Sequence, residues 1–321
     1  MTFVSLLKSS AGRITRVAAG TALGFGLTLS LLTAPGQALA QTAAPQAILP
    51  AQGNGPALWV IRDADSTIYL FGTVHVLRPD TAWQTDRVDA ALDSASRLIL
   101  EVANPDDQAA AMPLIQQYGI SPQTPLSTLL TADELAALDT AARTMGMTAA
   151  QLDPLRPWLA ALTLSVAPMT RAGYDPRSGV DLLLKARMEA AGKPVDGFET
   201  LDEQIRLLAG FPETGQLDFL RSTLDDFEDA TTELGRLVSA WADGDVAAIN
   251  AVGVEPMRDA SALMYQSLLV DRNVNWAGQI QTLLDGSGTV FIAVGAAHLA
   301  GEDSVQVQLA QRGVTVERVP N

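Results

Sequence analysis

The chain has only two histidines, and each lies three residues after a glycine that closes an apolar, β-prone run. The first run is Thr67-Ile-Tyr-Leu-Phe-Gly72-Thr-Val-His75, and the second is Thr289-Val-Phe-Ile-Ala-Val-Gly295-Ala-Ala-His298. Two histidines scattered by chance would rarely share one local context, so they read as two halves of one site. A glycine just past a strand lets the backbone turn tightly and approach a bound group closely. A histidine on that turn can aim its imidazole over the end of the sheet. Glu101 has a similar placement, near the C-terminal end of the apolar run Leu98-Ile-Leu-Glu101-Val102. An unpaired carboxylate there would be costly, so Glu101 calls for a metal ion or for a cationic partner such as arginine. Two neutral imidazoles and one carboxylate are a common ligand set for a catalytic divalent metal, with a coordination position left open for water. His75, His298 and Glu101 are therefore the expected metal ligands. An ion held there would lower the pKa of a water to about 7 and polarise a carbonyl.

The elements around these residues must bring them to one edge. Residues 58–61 and 67–71 are strand-like and joined by the polar Asp63-Ala-Asp-Ser66, which predicts a hairpin. Val88, Ala91, Leu92 and Ala95 recur at helical spacing, which predicts a helix over 83–96, followed by the strand that carries Glu101. Strand, helix, strand in that order makes a βαβ unit, whose right-handed crossover leaves both strands parallel. His75 and Glu101 then fall on the sheet edge where open α/β sheets place ligands. If strands 67–71, 98–102 and 289–294 are parallel neighbours, His298 joins them. Residues 105–170 read as helical, with capping boxes at Thr131-Ala-Asp-Glu134 and Thr148-Ala-Ala-Gln151. A helix from Val180 to Ala191 stops at Gly192, and a short strand over 194–198 ends at Glu199. Helical patterns continue over 201–208, 215–251 and 257–284. A helix over 304–311 and a strand over 314–319 close the chain. The last helical stretch before the second histidine holds Arg272 and Asn273, which face either the site or solvent. Asp181 and Glu199 read as capping and surface residues.

Other chemistries are excluded by what is missing. There is no cysteine, no HExxH, no P-loop and no G-x-S-x-G. With both histidines committed to one site, a hydrolytic mechanism rests on a metal rather than on a Ser-His-Asp triad. The formal net charge is −15, and it becomes −18 once the basic Lys8, Arg13 and Arg16 are removed. That argues against binding nucleic acid or an anionic membrane face. Those three residues, the apolar stretch 17–32 and Ala38-Leu39-Ala40 form an export signal cleaved after Ala40. Residues 41–56, rich in Ala, Pro, Gln and Gly, read as a flexible leader. Beyond residue 40 no apolar run is long enough to span a membrane. The expected address is the periplasm.

Six short stretches, taken in order, resemble the successive signatures of the TraB/GumN (TraB/PrgY/GumN) family. They are Tyr69-Leu-Phe-Gly-Thr-Val-His75, Leu98-Ile-Leu-Glu101, Gly179-Val-Asp181, Phe198-Glu-Thr200, Arg272-Asn-Val-Asn-Trp276 and Val294-Gly-Ala-Ala-His-Leu-Ala-Gly301. That family is related to the Tiki metalloproteases and, in its core, to EreA/ChaN-like proteins. The resemblance implies a metal-dependent hydrolase centred on His75, His298 and Glu101. It also implies an Arg-Asn pair beside the site, here Arg272 and Asn273, and, from the Tiki branch, proteolysis supported by manganese or cobalt.

The expectation is an α/β (α+β) protein whose mixed sheet is built from both ends of the chain. One TraB/GumN-like domain spans 57–321, with a helical insertion over about 105–285. Its expected activity is that of a divalent-metal-dependent (Mn, Co or Zn) envelope hydrolase, a Tiki-like metallopeptidase acting on a peptide or protein substrate. Glu101 serves as ligand or general base, and Arg272 or Asn273 steadies the oxyanion. The alternative is a non-catalytic metal- or haem-binding envelope protein.

Overall fold

The computed structural model describes residues 48–321. The export signal, its cleavage point and residues 41–47 of the leader lie outside the described residues. In chain order the first elements are β1 (Leu49–Pro50), β2 (Leu58–Arg62), β3 (Ser66–Thr73), β4 (Ala82–Gln84), α1 (Asp86–Ser94) and β5 (Arg97–Val102). β2 and β3 form the expected hairpin, with Leu58 opposite Phe71 and Arg62 opposite Thr67. Asp63 closes its turn by accepting from the Ser66 N–H at 2.6 Å. α1 starts three residues later than its apolar spacing suggests, because Thr85 is the cap and accepts from the Val88 N–H. The residues before it, Ala82–Gln84, instead pair in parallel with Leu49–Pro50, which gives part of the leader a fixed place.

The helical middle comprises α2 (Gln108–Gly119), α3 (Leu126–Leu129), α4 (Ala132–Arg143), α5 (Ala149–Leu152), α6 (Pro157–Arg171), α7 (Val180–Ala190), then β6 (Val195–Glu199) and α8 (Leu201–Ala209). It continues through α9 (Glu213–Asp225), α10 (Ala230–Ala242), α11 (Val246–Ile249), α12 (Glu255–Ala260), α13 (Ala262–Tyr265) and α14 (Asp271–Leu284). At the start of α4 the capping box is complete: Thr131 Oγ1 accepts from the Glu134 N–H, and Glu134 accepts from the Thr131 N–H at 2.7 Å. At α5 the Gln151 side chain likewise returns to the Thr148 N–H at 2.9 Å. The 257–284 stretch is not one helix. Ser261 is extended and caps α13, and a π-helical turn over Gln266–Val270 leads into α14. Helix α6 is buried from Pro157 to Met169, so it is the centre of the helical layer rather than an amphipathic surface helix.

β7 (Gly288–Gly295), α15 (Val305–Gln311) and β8 (Glu317–Arg318) complete the chain. The last strand is shorter than the apolar alternation of 314–319 suggests. Gly313 takes a positive φ, its N–H reaches Ala310 O, and the Val314 N–H reaches Leu309 O, so Val314 is used to terminate α15.

The six-stranded sheet has the order β6-β5-β7-β3-β2-β8. β6, β5, β7 and β3 are parallel, while β2 is antiparallel to β3 and β8. β7 thus lies between β5 and β3, with Phe71 opposite Ala293 and Thr73 opposite Gly295. Alternation sends side chains to two covered faces. Phe71, Leu98, Leu100, Phe291 and Ala293 face the large helical layer, where Phe71 meets Trp83 and Trp241 at ring separations of 6.1 and 6.5 Å. Ile68, Leu70, Ile99, Ile292 and Val294 face Trp276 and Ile280 of α14 and Leu309 of α15. The fold is α/β with a mixed sheet built from both ends of the chain. Its four parallel strands end on one edge at Thr73, Val102, Glu199 and Gly295.

Candidate metal centre

His75 leaves that edge two residues past β3. Its loop is tied to the start of α7, with the Val180 N–H on Val74 O at 3.0 Å and the Asp175 N–H on Leu77 O at 2.8 Å. The approach is so close that a Cβ at Gly179 would sit 2.4 Å from His75 O. This contact delivers Asp181, in the first turn of α7, to the imidazole: its Oδ1 lies 3.1 Å from His75 Nδ1. A carboxylate only accepts, so Nδ1 carries the proton and Nε2 is turned inward. His75 Nε2 is buried and has no hydrogen-bond partner. Burial disfavours the His75 cation, but Asp181, bonded to the ring, and Glu101 outweigh it and raise the pKa above the ordinary 6.5.

His298 sits in the 3-10 turn Ala296–Leu299 that follows β7. Asn273 fixes its tautomer. The Asn273 amide donates from Nδ2 to Asp303 O at 2.8 Å, so its Oδ1, 2.6 Å away, accepts from His298 Nδ1. His298 Nε2 therefore carries a lone pair, and Arg272 Nη1 lies 3.1 Å from it. Trp276 packs on the ring, with centroids 4.4 Å apart.

Glu101 stands between the two. Its Oε1 is 3.9 Å from His75 Nε2 and 3.9 Å from His298 Nε2, and it accepts the Gly295 N–H at 2.7 Å. Its Oε2 accepts from Arg272 Nη2 at 2.6 Å. Burial works against the Glu101 anion, but Arg272, the two imidazoles and the Gly295 N–H prevail and hold its pKa at about 2. Arg272 is held in turn by Glu199, with Nε to Oε1 at 2.9 Å and Nη2 to Oε2 at 3.0 Å. Trp276 Nε1 donates to Glu199 Oε1 at 2.9 Å, and Gln204 Nε2 reaches both Glu199 and Glu101. The π-helical turn before α14 supplies Leu268 O, which accepts from Arg272 Nη1 at 3.2 Å.

All five residues singled out from sequence, His75, Glu101, Arg272, Asn273 and His298, therefore meet in one buried cluster. The cationic partner that Glu101 requires is Arg272, and Asn273 acts on the His298 ring. Asp181 and Glu199, read as capping and surface residues, belong to the cluster, and so does Gln204. A signal for Glu199 existed: it ends a strand as Glu101 nearly does, and Val102 and Glu199 are register partners.

In type the donor set suits a divalent ion, and in presentation it does so at His75 but not at His298, whose Nε2 faces Arg272. Each imidazole has its Nδ1 committed to an acceptor, the arrangement that fixes a metal-ligating histidine, and the His75 Nε2 has no other partner. A cavity of about 10 Å³, lined by His75, Glu101, Thr73 and Asp181, lies beside it. That is roughly the room of one water or ion. Among the described residues no three His, Asp or Glu side chains are already drawn into a ligand cluster. For His298 to bind an ion, its Nε2 must exchange Arg272 for it.

The pattern of the TraB/PrgY/gumN family matches residues 57–318. An uncharacterized protein of Treponema pallidum (strain Nichols) is 23% identical over 260 residues, covering 77% of this chain and 78% of its own. The uncharacterized protein YbaP of Escherichia coli (strain K12) is 24% identical over 261 residues, covering 79% of this chain and 92% of its own. No solved structure matches the chain. With the match running from the first strand of the sheet to the last, the chain belongs to the TraB/PrgY/gumN family.

Proposed function

We propose that the protein is a divalent-metal-dependent hydrolase of the cell envelope, a peptidase of the Tiki kind, with His75, His298 and Glu101 as its metal ligands. The observation that carries this reading is the shared approach of His75 Nε2 and His298 Nε2 to one oxygen, Glu101 Oε1, at 3.9 Å each. A bound divalent ion would supply an activated water and a polarised carbonyl. The chain's own groups have separate tasks. Asp181 and Asn273 fix the two imidazole tautomers, leaving the lone pair on Nε2 of each ring, that of His298 facing Arg272. Glu101, kept anionic against its burial by Arg272 and the two imidazoles, serves as a ligand or as the general base. Arg272 positions Glu101 through Oε2 and, once its Nη1 leaves His298 Nε2, is the cation that would stabilise an oxyanion. The periplasm remains the proposed address and manganese, cobalt or zinc the proposed ion. A digest of a peptide library by the purified protein, with each metal added in turn, tests the reading. Cleavage abolished by EDTA and by Glu101→Gln supports it; a library left intact under all three metals contradicts it.

The second reading, a protein that binds metal without turnover, is favoured by enclosure. His75, Glu101 and His298 are 5%, 3% and 0% exposed. A peptide reaches them only after the cavity opens. Of the two groups this reading admits, a bare ion matches a space of about 10 Å³ and a haem does not. Stoichiometric metal without cleavage distinguishes it.

A further inference from the structure

Thr73 is fully buried, and its Oγ1 has no hydrogen-bond partner. It lines the same cavity as His75, whose Nε2 is likewise unpartnered. The two are related by spacing. Thr73 is the last residue of β3, and His75 stands two residues on, in the loop that leaves the strand. Apart from His75, Glu101 and Asp181, the lining is apolar, with Leu100, Val102 and Ala293 among it. Asp181 Oδ1 is taken by His75 Nδ1, and Glu101 is taken by Gly295 and Arg272. Two residues that line one water-sized space thus each carry a buried polar atom with no hydrogen bond in the chain. Buried hydroxyls are almost always satisfied. Valine has the same shape, favours strands more and would leave nothing unpaired. A threonine here is a net cost to the fold unless its partner arrives with what the site binds.

We infer that Thr73 is a ligand-contacting residue of the site, its hydroxyl hydrogen-bonding the water that occupies the cavity beside His75 Nε2 and orienting it for attack. The attack rests on the hydrolase reading, but the bound water and its bond to Thr73 do not depend on turnover. The hydroxyl accepts one water proton or donates to the water oxygen, and no covalent bond to the protein forms.

The test compares wild type with Thr73→Val and Thr73→Ser. In the metal-free protein Thr73→Val is expected to keep or raise Tm, because an unsatisfied hydroxyl is replaced by a methyl of equal size. With metal added, kcat is expected to fall about 10- to 100-fold in Thr73→Val and to recover to within about threefold in Thr73→Ser, the range of one positioned hydrogen bond. KM and the metal dissociation constant are expected to stay unchanged. A lowered Tm with unchanged kcat would make Thr73 structural and overturn the inference, and so would a loss confined to metal affinity. If the wild type turns over no peptide, a crystal structure decides. A water bonded to Thr73 Oγ1 and missing from Thr73→Val upholds the contact while the hydrolase reading fails. A hydroxyl rotated onto the backbone, with no water beside it, overturns the contact.

Discussion

Arg272 Nη2 donates to Glu101 Oε2 at 2.6 Å, a buried ion pair between residues 171 positions apart. Neither group could be buried alone, and Glu199 supplies the second carboxylate that completes the pairing. Arg272→Met removes the cation and leaves two carboxylates in the interior. Urea denaturation of the metal-free protein should show a loss of about 3–5 kcal/mol, the usual result of orphaning a buried charge. Arg272→Lys should lose less but still measurably, because an ammonium cannot serve both carboxylates as a planar guanidinium does. A variant as stable as wild type would mean that the carboxylates are neutral or solvated.

Glu101 and His75 give the metal-free fold opposite pH dependences. The Glu101 pKa is depressed from 4.5 to about 2. Its contribution, on the order of 3 kcal/mol, is therefore present above pH 4.5 and lost as pH falls toward 2. The His75 pKa is raised above 6.5. Its contribution is complete below 6.5 and fades as pH rises through the folded value. Stability measured in EDTA should peak between these windows. Glu101→Gln should flatten the acid limb, and His75→Gln the alkaline one. A limb unaltered by its variant would assign that titration to other groups.

Asp181 acts through His75 rather than on any substrate. Asp181→Asn keeps the volume but weakens the hold on the Nδ1 proton. Metal affinity, followed by competition with a fluorescent chelator, should fall about 10- to 100-fold, the effect of losing such an orienting partner. Asn273→Leu should act similarly through His298, whose Nδ1 would lose its acceptor. Unaltered affinity in both would separate ring orientation from binding.

Gly179 is where α7 meets the His75 loop. Gly179→Ala places a methyl 2.4 Å from His75 O, against backbone that cannot swing aside. A destabilisation of about 1–3 kcal/mol is expected from overpacking, together with weaker metal binding as His75 and Asp181 are pushed apart. Gly192→Ala is a useful control, since its added methyl meets nothing within 4 Å and only its positive φ is strained. If Gly179→Ala behaved like this control, the close approach would carry no weight at the site.

Much of this was legible in the sequence because it depends on local rules. The hairpin follows from Asp63 and Ser66 between two apolar runs. The helix starts at Thr131 and Thr148 follow from capping, and the stop at Gly192 from its positive φ. The shared edge follows from parallel pairing of strands that each carry a histidine or carboxylate near or just past the C-terminal end. Strand order was not legible. Placing β7 between β5 and β3 is a long-range pairing that no short window encodes. Asp181 looks like an ordinary capping residue until Gly179 meets the His75 loop, whereas Glu199 carried a signal, the end of a strand, that its register with Val102 makes good. The two-residue β8 escaped for a different reason: Val314 has strand propensity, yet its N–H is used to end α15.

The central claim is that His75 and His298 hold one ion between them, and metal content tests it most directly. Wild type, His75→Ala and His298→Ala are each loaded with manganese, cobalt or zinc, dialysed and analysed for bound metal against protein concentration. The account predicts about one ion per wild-type chain and almost none in either variant, with all three folded by circular dichroism. Stoichiometric metal retained by both variants would contradict it.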